Sequence, residues 1–136
     1  MRKASVLIGI CLLAAVAFAL AAQAPTDLSP VMKDVGATSG KLRMDLMAGN
    51  AADVAASAQK LQEDFTKAEG FFKQMKAPDA ADMASANVDA AEKVVKAAKA
   101  NDMDAAKAAA GTINKSCKAC HDVHREQLPD KTYKYK

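Results

Sequence analysis

The chain has few of the residues from which strands are usually built. It contains no tryptophan, and only 4% of its 136 residues are aromatic. Although 51% of the residues are hydrophobic, much of that share is alanine. Alanine favours helix, whereas strands prefer β-branched and aromatic side chains. No alternation of polar and apolar residues indicates a strand, so the composition predicts one all-α domain.

The N-terminal segment is predicted to be a leader rather than part of the fold. Arg2 and Lys3 precede an uncharged apolar stretch at 6–22, and small residues follow. This is the layout of a secretory signal peptide, and the stretch is short for a membrane span. We predict a signal peptide over residues 1–22 and a periplasmic domain over 23–136, with no stable membrane span after cleavage. The alternative is an uncleaved N-terminal anchor.

Signs of catalysis and of nucleic-acid binding are also missing. The chain shows no catalytic triad, no recognisable carboxylate pair and no glycine-rich phosphate loop, so we do not expect an enzyme. Loss of Arg2 and Lys3 with the leader would reduce the net charge from +3 to about +1. Phosphate binding needs a concentrated basic face, so this weak balance argues against a nucleic-acid partner.

The rest of the chain shows four helical segments with short breaks between them. Apolar residues recur in each segment at alternating spacings of three and four, which indicates one buried face per helix. On the first helix this stripe includes Met32 and Val35. Short connections predict an antiparallel, up-down-up-down four-helix bundle. The first segment begins after Asp27, with Ser29 as its predicted N-cap, and ends at Gly49. Asn50 is the predicted cap of the second segment, which Pro78 ends, and Asp79 is that of the third. Either Asn101 or Asp102 opens the fourth, which runs to about Leu128.

The fourth helix carries a C-x-x-C-H motif at Cys117, Cys120 and His121. Two thiols one turn apart can add to the two vinyl groups of a haem, while the imidazole ligates its iron. With His124, these side chains fall within about a third of the helix circumference. The motif therefore predicts one covalently attached haem c. The alternatives are a zinc site on the same four residues and a disulfide between the two cysteines.

The segment Cys117-Lys118-Ala119-Cys120-His121-Asp122-Val123-His124-Arg125 resembles the end of the class II c-type cytochromes. That family includes cytochrome c′ and the c-556 type, and the four-helix pattern of residues 25–130 is similar to it as well. The first-helix segment Val31-Met32-Lys33-Asp34-Val35-Gly36 resembles the c-556 type. This resemblance implies that Met32 is the second axial iron ligand, opposite His121. The alternative for Met32 is ordinary core packing, because methionine is an adaptable filler.

The resemblance implies one of two functions. The first is a carrier of single electrons between redox partner proteins, with His121 and Met32 on the iron. The second is a five-coordinate haem protein, like cytochrome c′, that binds nitric oxide or carbon monoxide on an open face. Open-iron members commonly carry an arginine one turn before the residue that faces the haem, and this chain has Leu28 there. Leu28 in place of that arginine thus favours the electron carrier over the gas-binding protein. A homodimer is possible in either case, and the sequence pattern does not decide between monomer and dimer.

Two residues after the motif also have implied roles. In the family a basic residue at the position of Arg125 lines the histidine side of the haem. His124 stands where relatives usually have tyrosine or phenylalanine. It is expected either to pack along the haem as those rings do, or to titrate near neutral pH and tune the iron.

Overall fold

The computed structural model describes residues 27–136, and the predicted leader over residues 1–22 lies outside them. Each helix packs against the next one along the chain, and connections of two or three residues reverse the chain direction between them. The all-α four-helix bundle is therefore confirmed. No helix among the described residues is long and apolar enough to cross a membrane. The elements are α1 (Ser29–Ala48), α2 (Ala51–Gln74), α3 (Pro78–Lys99), α4 (Met103–His124), β1 (Arg125–Gln127) and β2 (Tyr133–Tyr135).

Local capping explains most of the helix ends. Gly49 ends α1 in a left-handed conformation with φ of 71°, which glycine adopts without a steric penalty. The Asn50 side chain accepts a hydrogen bond from the backbone N–H of Asp53, and Asp102 accepts one from Ala105. These bonds satisfy N–H groups that the first helical turn leaves free. The predicted starts of α2 and α4 are thus confirmed.

Three predicted boundaries are wrong. Ser29 is the first residue of α1 and not its cap; the cap position is Leu28, and no side-chain hydrogen bond caps this helix. Pro78 begins α3 instead of only ending α2, because the missing N–H of proline costs nothing at the first helical position. Asp79 therefore lies in the first turn of α3 and is not its cap. The fourth helix ends at His124, before Leu128, because Arg125 adopts an extended conformation and begins a two-stranded antiparallel hairpin. The prediction from the sequence did not include these strands.

The core divides into two regions along the bundle. The closed end consists of buried residues from all four helices, among them Leu42, Leu61, Val94 and Ile113. The cavity end lies towards the start of α1 and the end of α4. There Val31, Phe71 and Phe72 form a second cluster with alanines of α3. Helices α1 and α4 barely touch each other, so the bundle is open along the seam between them.

Candidate cofactor site

A cavity of about 680 Å³ opens at the cavity end, between α1 and the last turns of α4. This volume falls within the range of about 300–1,000 Å³ that is usual for ligand sites. The structure brings all four predicted site residues together on its walls. They are Met32, Cys117, Cys120 and His121.

The two cysteines lie one turn apart on α4, and both carry free thiols. Burial and then the charge of Cys120 raise the pKa of the Cys117 thiol. Burial and then the charge of Asp79 raise the pKa of the Cys120 thiol. Both groups therefore stay protonated at neutral pH, as thiols rather than reactive thiolates. The disulfide alternative has no support in this arrangement.

His121 follows Cys120 directly and is half-buried in the cavity wall. Burial and then the positive charge of Arg125 lower the pKa of its imidazole, against a smaller opposing effect of Asp122. The neutral ring is thus favoured, and this is the form in which histidine binds a metal. Within residues 27–136 no group of three or more His, Cys, Asp or Glu side chains could hold a metal ion. The arrangement of these residues therefore gives the zinc alternative no support.

Met32 reaches the cavity from α1, on the other side of the open seam. Its side chain is half-buried and contacts the edge of the cavity-end cluster, next to Leu28. Both the ligand and the packing hypotheses are compatible with that position. Met44 and Met47, further along the same helix, are exposed by 64% and 81% and lie away from the cavity.

The remaining walls are mostly apolar, and sequence reasoning did not assign them to the site. Phe65, Phe71 and Phe72 of α2 line the cavity and are buried. Asn87 of α3 also lines it, and its buried side-chain oxygen has no hydrogen-bond partner. The only signal in the sequence was the inward helical spacing of these residues, which indicates burial without indicating a cavity.

His124 and Arg125 also line the cavity, but they are placed differently. Arg125 is exposed, whereas His124 is buried and its ring stacks on Tyr135 with centroids 5.6 Å apart. The His124 Nε2 atom lies 3.1 Å from Asp79 Oδ2, at an angle that does not make a hydrogen bond. The position of His124 agrees with a packing role.

Tyr135 is a further residue of the site that sequence reasoning missed. It belongs to β2, which folds back onto the bundle. Both tyrosines of this strand, Tyr133 and Tyr135, line the cavity. Burial, followed by the charges of Asp79 and Cys120, raises the pKa of the Tyr135 hydroxyl. The alternation Tyr133-Lys134-Tyr135 after a Pro129-Asp130 turn was the available signal for a strand.

A family model described as Cytochrome C' matches residues 23–125, which include all four helices and the C-x-x-C-H motif. The chain belongs to the cytochrome c′ family. It is a class II c-type cytochrome and binds covalently attached haem c. Proteins of this family carry electrons or bind gases. Searches among curated proteins and among solved structures find no match.

The donors and walls of the cavity fit haem c. Cys117 and Cys120 supply two protonated thiols one turn apart, and His121 supplies a neutral imidazole. The phenylalanine rings offer an apolar surface to a flat macrocycle, and the unpartnered side-chain oxygen of Asn87 offers a polar group. A largely apolar cavity with a few convergent polar groups is typical of a cofactor site.

Proposed function

We propose that this class II cytochrome is a periplasmic mono-haem electron carrier of the c-556 type, and not an enzyme. In this proposal Cys117 and Cys120 bind the haem, and His121 and Met32 ligate its iron. The observation that carries it is that Met32 of α1 lines the same cavity as the three motif residues of α4. Met32 would hold the cofactor from α1, the helix across the open seam from His121.

The cysteines and the histidine would hold the cofactor from one helix. Each thiol would add its S–H bond across one vinyl double bond, so that a thioether forms without a leaving group or an oxidant. The raised pKa values of both cysteines keep that proton on sulfur. Two covalent bonds from consecutive turns would fix the ring beside the neutral imidazole of His121.

Met32 would supply a neutral thioether sulfur from the opposite wall. Leu28, one turn earlier, also lines the cavity and offers no ligand atom. When bound, the haem supplies one-electron chemistry, since its iron takes one electron from a donor protein and gives one electron to an acceptor protein. Histidine paired with methionine raises the reduction potential, which suits transfer between redox proteins.

The aromatic wall would contribute by excluding water. Phe65, Phe71 and Phe72 bury apolar rings against the cavity, and no charged side chain of α2 lines it. A low-dielectric wall disfavours additional charge on the cofactor. These side chains would therefore favour the reduced state of the iron and add to the effect of Met32.

The proposed periplasmic location depends on the predicted signal peptide. A signal peptide over residues 1–22 would export the chain, and haem attachment would complete it in the periplasm. Its partners would be the proteins that donate and accept the electron. The weak net charge of the remaining chain speaks against nucleic acid as a partner.

The absorption spectrum of the holoprotein tests the proposal directly. A six-coordinate, low-spin iron should give narrow α and β bands after reduction, and carbon monoxide should leave them unchanged. A broad band that shifts with carbon monoxide in the wild-type protein would contradict Met32 ligation. That result would support the five-coordinate gas-binding alternative.

A pair of variants on one helix sharpens the test. Met32→Ala should open one axial position, so the reduced variant should bind carbon monoxide. Met44→Ala is the matched control, because it removes the same side chain from α1 at a position exposed by 64%. The control should keep the wild-type spectrum with and without the gas. Equal behaviour of the two variants would refute the assignment of Met32.

A further inference from the structure

The C-terminal hairpin extends past the part of the chain that matches the family. The match ends at Arg125, the first residue of β1. β1 pairs with β2 in antiparallel register, with Arg125 opposite Tyr135, and the N–H of Leu128 donates to the carbonyl oxygen of Thr132 at 2.8 Å. The turn and β2 are therefore features of this chain for which the family match gives no role.

The hairpin folds back onto the bundle at the cavity. Its residues from Thr132 to Tyr135 line the cavity together with the haem-binding motif. The backbone N–H of Lys136 donates to the carbonyl oxygen of His124 at 2.9 Å. That bond ties the end of β2 to the last residue of α4, so the strand returns to the helix that carries the attachment cysteines.

Tyr135 is the residue that seats the hairpin. Its ring centroid lies 5.3 Å from that of Phe72 and 6.4 Å from that of Phe71, both on α2. On the other side the ring stacks on His124 of α4. Tyr135 thus joins the two helices across one edge of the cavity. Aromatic contacts of this kind contribute stability beyond the area they bury.

The remaining side-chain contacts of the hairpin lie on the surface and contribute little to its attachment to the bundle. Lys134 pairs with Glu126 at 3.3 Å, with both side chains about half exposed. The Arg125 guanidinium lies 4.2 Å from the centroid of the Tyr133 ring, which is 46% exposed. Exposed ion pairs contribute little to stability. These contacts also join the two strands to each other, so they do not attach the hairpin to the helices.

We propose that the C-terminal hairpin is a strap that closes the haem cavity beside the attachment helix, with Tyr135 as the positioning residue that limits access of water to the haem. The inference rests on the proposed placement of the haem between Met32 and the motif residues. Burial is one of the means by which a protein sets the potential of a haem. With the strap seated, the apolar wall formed by Tyr135 raises the reduction potential; with the strap displaced, water reaches that edge.

The test compares Tyr135 with an exposed residue of the paired strand in the holoprotein. Tyr135→Ala should lower the reduction potential, measured by spectroelectrochemical titration. It should also increase the rate of tryptic cleavage after Lys131 several-fold, because the strap is released more often. Glu126→Ala should stay close to the wild type in both measurements, because Glu126 is exposed and does not line the cavity. Tyr135→Phe should also stay close to the wild type, since the proposed role belongs to the ring.

Several results would refute the proposed role of the hairpin. One is a wild-type potential and a wild-type cleavage rate for Tyr135→Ala, and another is an equal shift of the potential in Glu126→Ala. If Tyr135→Ala does not fold, a chain ending at Leu128 removes β2 and the turn, and an unchanged potential in that chain would equally refute the proposal. Failure of the Met32 assignment would appear separately, as gas binding by the wild-type protein.

Discussion

The two ends of the bundle use the same four helices in different ways. At the closed end, Val54, Leu61, Ala91 and Ala106 are fully buried, and the small alanines let neighbouring helices approach closely. At the cavity end, the helices carry phenylalanine, cysteine, methionine and histidine, and α1 and α4 leave a space of about 680 Å³ between them. The closed end is filled mainly by its own side chains and has a smaller groove of about 250 Å³ between α1 and α4, whereas the cavity end is built around a cofactor.

This difference separates the residues that stabilise the fold from those that serve the haem. A close-packed core loses stability when even one methylene is removed, because little room exists for relaxation. Side chains on a cavity wall contact fewer protein atoms and gain their partners from the ligand. Substitutions at the closed end should therefore change unfolding, whereas substitutions at the cavity end should change cofactor binding and its properties.

The largest effect is expected from removing both thiols. Cys117→Ser combined with Cys120→Ser should abolish covalent haem attachment, because a hydroxyl does not add to a vinyl group as a thiol does. Haem staining of the chain on a denaturing gel measures this directly. Lys118→Ser is the control, since Lys118 is exposed between the two cysteines and should keep the stain. Stain retained by the double variant would contradict the assignment of both cysteines.

A core truncation at the closed end should be the next largest effect. Leu61→Ala should reduce the free energy of unfolding by about 2–5 kcal/mol, because Leu61 is fully buried and its removal leaves a cavity. The measurement is urea unfolding of the holoprotein, with the spectrum recorded before denaturation. The haem bands should not change. Met47→Ala, at a position exposed by 81%, should cost less than about 0.5 kcal/mol. Equal losses in the two variants would show that the closed end is not tightly packed.

The smallest change in stability is expected at Asp45 of α1, which accepts a hydrogen bond from Ser57 of α2 and so links the two helices at the closed end. Burial raises the pKa of Asp45, but hydrogen bonds from Lys41 and Ser57, with the charge of Lys41, outweigh it and bring the pKa below its ordinary value of 3.8. A lowered pKa means that the carboxylate stabilises the folded state above pH 3.8. This contribution is lost as the pH falls from there through the pKa of the folded state.

Asp45→Asn should therefore cost up to about 1 kcal/mol at neutral pH, and the difference from the wild type should shrink below about pH 4. Urea unfolding at several pH values measures it. Glu92→Gln is the control, because the pair of Glu92 with Lys96 lies within α3 and links no second helix. A difference that stays constant down to pH 2 would show that the Asp45 charge is not responsible.

The site was predictable in part. Cys117, Cys120 and His121 were found because the motif lies within two turns of one helix, where spacing alone fixes the relative directions of side chains. The spacing of Phe65 and Phe72 along α2 indicates that they are buried, but it does not indicate that they line a cavity. Whether an inward side chain meets a neighbour or a cavity depends on the distance between helices, which no single helix determines.

The end of α4 shows how tertiary contacts overrode a local pattern. The chain to Leu128 could continue as helix, and Pro129 is the first residue that must break it. The helix nevertheless ends at His124, and strand pairing with β2 holds Arg125 in an extended conformation. That pairing is supported by Tyr135 against Phe71 and Phe72, contacts separated by more than 60 residues in sequence.

The sequence by itself determined four helices, their short antiparallel connections and the C-x-x-C-H motif, because each follows from spacing within a few turns. Only the tertiary structure decided that Met32 lines the same cavity as the motif, and that Tyr135 returns to it. Both depend on how α1, α2 and the hairpin sit against α4. Those arrangements result from packing between distant segments, and local periodicity carries no information about them.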